Sequence, residues 1–190
     1  AVEPSTISKY FNDLSGQGAA TVAAVDFLYS QGVVNGVREG QYAPGSNIRR
    51  GDFCLMLYRA FQFDSDGTTA GFRDVPDSAY YAQAVNVLRS QGIVMGIGGN
   101  TFKPNDSISR QDAALMVQRT LKAAGLKADD GTAEDLAGYG DAAYVDAYAR
   151  GAVTCLLQQG ILPANGSSIS PKGNLTRAAM AVLLHRAMAK

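Results

Sequence analysis

Apolar positions along the chain fall into six helical stripes, and the stripes come in pairs. In the first member of each pair, Val25 and Leu28 recur as Val85 and Leu88 and again as Val153 and Leu156. This is the i, i+3 spacing of a helix that buries one face. In the second member the count starts from an arginine, and positions +3, +4, +7 and +11 are apolar each time. They are Phe53, Cys54, Leu57 and Phe61, then Ala113, Ala114, Val117 and Leu121, then Met180, Ala181, Leu184 and Met188. One helical face is written three times, and core packing is its simplest use. The paired helices are joined by glycine-bearing turns, 36–42 and 96–102. Their glycines are predicted to supply φ > 0, with a closing aromatic that packs on the lobe. The third turn, 163–169, opens on Pro163 and Ala164 instead. Two polar stretches, 64–71 and 124–138, read as surface linkers.

More than the stripes repeats. Each copy opens on an aromatic and an aspartate: Phe11 with Asp13, Phe72 with Asp74, Tyr139 with Asp141. A Gln-Gly pair follows midway (Gln31-Gly32, Gln91-Gly92, Gln159-Gly160), then a proline (Pro44, Pro104, Pro171), then an arginine. The arginines are Arg50, Arg110 and Arg177, lying 37, 36 and 36 residues after their aspartates. Repeats of this length mean modular units that bury their apolar faces against one another. The boundaries fall at about 1–63, 64–124 and 125–190, as three helix-turn-helix lobes sharing one core.

Composition narrows the function. Hydrophobic residues make up 46% of the 190, enough for a sizeable core. Seventeen basic residues balance seventeen acidic ones, so no global field draws the protein to nucleic acid or an anionic membrane. No stretch approaches the roughly 20 apolar residues of a membrane span. The opening Ala1-Val2-Glu3-Pro4 has neither a charged n-region nor an apolar h-region. The last predicted helix runs up to Lys190, as expected of a segment of a longer protein. Cys54 and Cys155 occupy non-equivalent positions among apolar neighbours and read as free, small hydrophobes.

Catalytic chemistry finds little to work with. His185 is the one histidine, so no triad or histidine-rich zinc site can be assembled. Asp64-Ser65-Asp66-Gly67 hints at a calcium loop, but Val75 stands where the twelfth-position glutamate belongs. No metal, cofactor or enzymatic activity is expected, although an enzyme could be attached beyond either end.

The arginines are the unusual feature. Ser109 and Thr176 precede two of them as N-caps, and Ser109 with Asp112 approximates a capping box. A cation in the first helical turn opposes the helix dipole, and three at one position demand a compensating anion. One candidate is the repeated aspartate, Asp13, Asp74 or Asp141, of the same or an adjacent lobe. The other is an external anion, held by the guanidinium and the orphan N–H groups of the helix start.

The ordered pattern of aromatic-x-Asp, helix, glycine turn, aromatic-x-Pro and then [Ile/Leu]-[Ser/Thr]-Arg resembles the S-layer homology (SLH) domain. The second copy is the nearest fit, from Phe72-Arg73-Asp74-Val75 through Phe102-Lys103-Pro104 to Ile108-Ser109-Arg110-Gln111-Asp112. The resemblance implies a mainly α, pseudo-threefold, three-lobed unit with grooves between lobes. It also implies non-covalent anchoring of a surface protein to a secondary cell wall polysaccharide through a pyruvylated sugar, outside the cell at the bacterial surface. The alternative is a peptidoglycan-binding or protein–protein module of the same fold. The ligand set that carries over is Arg50, Arg110 and Arg177, with Gly36 and Gly96 and the three aspartates. Three departures stand out: Arg49 replaces the capping Ser/Thr, Ala179 replaces the acid of the signature, and Ala20 stands where Tyr80 and Tyr148 occur. Because the third turn lacks its leading glycine, the turns of copies one and two are expected to carry most of the affinity, with Arg177 left a structural role or a weak ligand contact.

Overall fold

The computed structural model describes residues 5–64 and 71–190, so the possible calcium loop at 65–67 lies outside the described residues. Six α-helices form where the stripes place them: α1 Ala19–Ser30, α2 Arg50–Phe61, α3 Ala82–Ser90, α4 Arg110–Ala123, α5 Arg150–Gln158 and α6 Arg177–Met188. Among the described residues there is no β-strand, only isolated bridges. The predicted faces are inside: Val25, Leu28, Val85, Leu88, Val153 and Leu156 are buried, as are Phe53, Cys54, Leu57, Ala113, Ala114, Val117, Leu121, Met180, Ala181 and Leu184. Phe61 and Met188, near the helix ends, are half-buried against the same core. Each large side chain so buried contributes about 1.5–3 kcal/mol of hydrophobic stabilisation.

The Gln-Gly pairs end the first helix of every repeat. Gly32, Gly92 and Gly160 have φ near +70°. The amide of the following residue (Val33, Ile93, Ile161) donates back to the carbonyl of Leu28, Leu88 or Leu156. This is a Schellman cap, and its left-handed position favours glycine.

Lobes and repeats do not coincide. The two helices of one repeat do not pair with each other. Instead α3 packs on α2, α5 on α4, and α1 on α6, so each lobe joins the second helix of one repeat to the first helix of the next. The chain thereby closes on itself, with His185 of α6 against Phe27 of α1, ring centroids 5.0 Å apart. The second helices α2, α4 and α6 also touch one another around the centre. There the Ile48 amide donates to Leu175 O (2.9 Å), Leu175 to Ile108 O (2.9 Å) and Ile108 to Ile48 O (3.0 Å). Three backbone hydrogen bonds thus form a closed triangle on a pseudo-threefold axis.

The linker 124–138 is more than a surface connection. Ala128 and Leu136 are buried. Buried Gln118 donates to Ala128 O (3.0 Å) and to Asp130 (2.7 Å). A Cβ at Gly131 would lie 2.2 Å from the Thr154 side chain. The polar residues of this stretch hid the packing, because only Ala128 and Leu136 are buried, with Leu126 half-buried against the core. Cys54 and Cys155 are free and buried, and burial pushes the Cys54 thiol up to about 12 despite the neighbouring Arg50. No helix among the described residues is long and apolar enough to cross a membrane.

Candidate functional site

The repeated aspartates all perform one local task. The Asp13 carboxylate accepts the amides of Tyr42 (2.9 Å) and Ala43 (2.8 Å). Asp74 accepts those of Phe102 (2.8 Å) and Lys103 (2.7 Å), and Asp141 those of Ile169 (2.9 Å) and Ser170 (2.7 Å). Each pair of bonds holds a non-glycine residue in the left-handed region, with φ of 58° at Ala43, 55° at Lys103 and 54° at Ser170. A proline follows each time, a placement that further narrows the backbone. Partial burial raises the Asp74 pKa, but the Phe102 and Lys103 amides outweigh it and hold the carboxyl below its ordinary value. For Asp141 the Ile169 amide leads and produces the same direction.

The arginines reach out of their own repeats. Arg50 Nε donates to Phe102 O (3.0 Å), Arg110 Nε to Ile169 O (2.8 Å) and Arg177 Nε to Tyr42 O (2.7 Å). Arg50 and Arg177 also lie over the rings of Phe102 and Tyr42, at 4.8 and 4.4 Å. Among the described residues none of the three aspartates makes a direct ion pair with these arginines, and the one such pair is Arg50 with Asp112 at 3.3 Å.

Nor are the first helical amides open to an external anion. Arg50 N and Gly51 N donate to Asp106 O and Pro104 O. Arg110 N and Gln111 N donate to Gly173 O and Pro171 O, and Arg177 N and Ala178 N to Ser46 O and Pro44 O. Carbonyls of the adjoining turn fill the role that an anion would have taken. The expectation of orphan N–H groups fails because the turn of another repeat covers each helix start.

One cleft is lined from all three repeats, and the surroundings of Arg177 and Arg110 are its counterpart grooves by repeat position. The Arg50 groove is a cleft of about 450 Å³, lined by Arg50, Gly96, Ile97, Asp112, Arg119 and Tyr148 among others. The Tyr148 hydroxyl donates to Asp112 at 2.7 Å. The Arg177 groove repeats the arrangement with the turn of repeat one, where the Tyr80 hydroxyl donates to Asp52. Hydrogen bonding to those carboxylates and partial desolvation raise both phenols, Tyr80 to about 12, and desolvation leads in each case. The Arg110 groove faces the turn of repeat three, and Arg110 donates also to Pro163 O. Its equivalents of the Asp–Tyr pair are Ala179 and Ala20, so two separate departures in sequence are one loss in space.

The geometry redistributes the predicted residues. The glycine-poor third turn belongs to Arg110, and Arg177 serves the turn of repeat one, the reverse of the sequence expectation. Gly96 has φ +75° and lines the cleft. A Cβ there would come within 2.6 Å of both the Phe72 ring and Thr101 O. Gly36 lacks a positive φ, and its missing Cβ makes room for Gln41 O (2.7 Å) and the Phe11 ring (2.9 Å). Both glycines first admit the turn's own atoms. The sequence reading missed a second repeated arginine at +9: Arg59, Arg119 and Arg186. Arg119 donates to Ile93 O (3.3 Å) and Arg186 to Gly160 O (3.1 Å). Their shared offset from Arg50, Arg110 and Arg177 was the available signal.

A profile of the S-layer homology domain matches residues 10–54, 71–114 and 138–181. The chain belongs to the S-layer homology domain family. The three SLH matches fall on the three repeats that build these grooves. The chain is 27% identical over 96% of its length to an amylopullulanase of Thermoanaerobacterium thermosulfurigenes. It is 26% identical over 98% to the surface-layer 125 kDa protein of Lysinibacillus sphaericus, and 30% identical over 50% to the middle cell wall protein of Brevibacillus brevis. The chain spans only 10%, 16% and 9% of the length of these relatives.

Proposed function

We propose that this SLH unit anchors a longer protein non-covalently to the bacterial cell wall, by binding carboxylate-bearing, pyruvylated sugars of a secondary cell wall polysaccharide in its inter-repeat grooves. Its place is the cell surface. The observation that carries the reading is the Arg50 groove, whose lining brings together Arg50, Arg119, Asp112 and the exposed Tyr148. That set offers a guanidinium for a carboxylate, a carboxylate–phenol pair for hydroxyls and a ring for the apolar face of a sugar. In a chain without net charge such a local set must supply the recognition. Surface and cell wall proteins among the relatives support the anchoring role. Matching about a tenth of an amylopullulanase supports a binding unit that travels with different cargoes and is not itself the enzyme.

The Arg50 and Arg177 grooves carry most of the affinity in this reading, because the Arg110 groove lacks the Asp–Tyr pair. Gly36 and Gly96 keep their turns close to the ligand, and Asp13, Asp74 and Asp141 hold those turns. Sedimentation with purified walls tests the partner. Binding should be lost after acid extraction of the polysaccharide, and depyruvylated polymer should compete poorly. Retained binding to extracted walls would favour peptidoglycan.

A further inference from the structure

The repeated aspartate and arginine, which never touch, are joined through a single peptide unit, three times over. The Phe102–Lys103 peptide presents its N–H to Asp74 at 2.7 Å and its C=O to Arg50 Nε at 3.0 Å. In the Tyr42–Ala43 peptide, Asp13 takes the N–H at 2.8 Å and Arg177 the C=O at 2.7 Å. The Ile169–Ser170 peptide lies likewise between Asp141 and Arg110, at 2.7 and 2.8 Å. A peptide dipole of about 3.5 D is thus aligned between a negative charge at its N–H end and a positive one at its C=O end. Hydrogen bonds in series polarise one another, so each charge strengthens the bond made by the other.

We propose that each aspartate is the positioning residue for the arginine of the preceding repeat in the cycle: Asp74 for Arg50, Asp141 for Arg110 and Asp13 for Arg177. Two observations separate this from a purely local turn staple. The two residues that form the peptide differ in every repeat, as does the arginine's second partner, which is Asp112, Pro163 O or Asn35 O. The charge–peptide–charge arrangement stays constant, with the left-handed residue and the proline that follow its carbonyl. The inserted residue is also strained toward the left-handed region, and that conformation aims the preceding carbonyl across the repeat boundary. Its functional meaning rests on the reading that these arginines face a ligand. Positioning would then be non-local in sequence, with an aspartate of one repeat tuning a groove whose arginine lies in another.

The test is Asp74→Asn, which keeps the size, removes the charge and leaves one acceptor oxygen where two amides were held, in isotopically labelled protein. Hydrogen exchange of the arginine Nε–H groups is followed by NMR without any ligand. The Arg50 Nε–H should exchange about tenfold faster, the scale of trading a charge-assisted for a neutral hydrogen bond, while those of Arg110 and Arg177 keep their rates. Equal acceleration of all three, or acceleration at Arg110 in place of Arg50, would overturn the proposal. Should Asp74→Asn fail to fold, Asp141→Asn read at Arg110 decides in the same way. Calorimetry with a short pyruvylated saccharide then separates the two readings. A fall of about fivefold in affinity, absent in an Arg50→Ala background, supports positioning for ligand. The expected exchange pattern with unchanged saccharide affinity would keep the positioning and sink the ligand assignment.

Discussion

At the scale of single residues, chemistry is concentrated on a few carboxylates whose protonation the fold opposes. Folded-state pKa values of Asp74 and Asp141 lie below their ordinary range. A depressed carboxylate contributes stability that is present above its unfolded pKa and is lost as the pH falls through the folded value. Stability should therefore be flat at neutral pH and decline below about pH 4. In Asp74→Asn or Asp141→Asn that decline should be shallower, as urea midpoints measured against pH would show. Gly96 makes a second test. With φ +75° and a Cβ site 2.6 Å from Phe72 and Thr101 O, Gly96→Val should cost about 2 kcal/mol or more in stability. A variant that bound weakly yet melted like the wild type would instead make Gly96 a ligand contact alone. The arginines, aspartates and glycines were all legible in sequence, since each recurs at one offset. Their partners were not. The distance from Asp74 to Phe102 or from Arg50 to Phe102 is set by how the turns fold back, and no periodicity encodes that.

At the scale of elements, the helices follow their stripes, with side-chain caps starting α4 and α6 and Gln-Gly caps ending α1, α3 and α5. Ser109 and Thr176 accept the amides of Asp112 and Ala179, at 3.2 Å each, whereas Arg49 has N-cap backbone angles (φ −80°, ψ 154°) and no side-chain cap bond. Ser109→Ala should thus cost about 1 kcal/mol, and Arg49→Ser should gain up to about the same, both read from denaturant midpoints. A null result for Arg49→Ser would mean that capping the Asp52 amide adds nothing once Asp106 O and Pro104 O hold the Arg50 and Gly51 amides. Helix existence was readable from i, i+3 spacing and Gln-Gly stops. Helix partnership was not: a stripe reports that a face is buried and says nothing of which helix covers it. The natural assumption that the two helices of one repeat pack together fails here, since α2 is covered by α3 and α6 by α1.

At the scale of the whole molecule, that exchange of partners changes what a repeat is. In an open solenoid each unit leans only on its neighbours, and a shortened array can still fold. Here the first and last repeats are also neighbours, and the triangle of Ile48, Ile108 and Leu175 needs one residue from each. Removing residues 125–190 strips α1 and α4 of their covering helices α6 and α5, and it opens the triangle. The shortened protein should be largely unfolded, with far-UV circular dichroism and proteolysis as the measures. A stable, helical two-repeat product would contradict the closed design. The closure also bears on how such a unit would behave under load. If it holds cargo to a wall, tension pulls on a ring, and a ring has no end repeat that can peel away first. Stretched between its termini in a force experiment, it should yield in one cooperative rupture, without a staircase of three: a clasp that stays shut or lets go entirely.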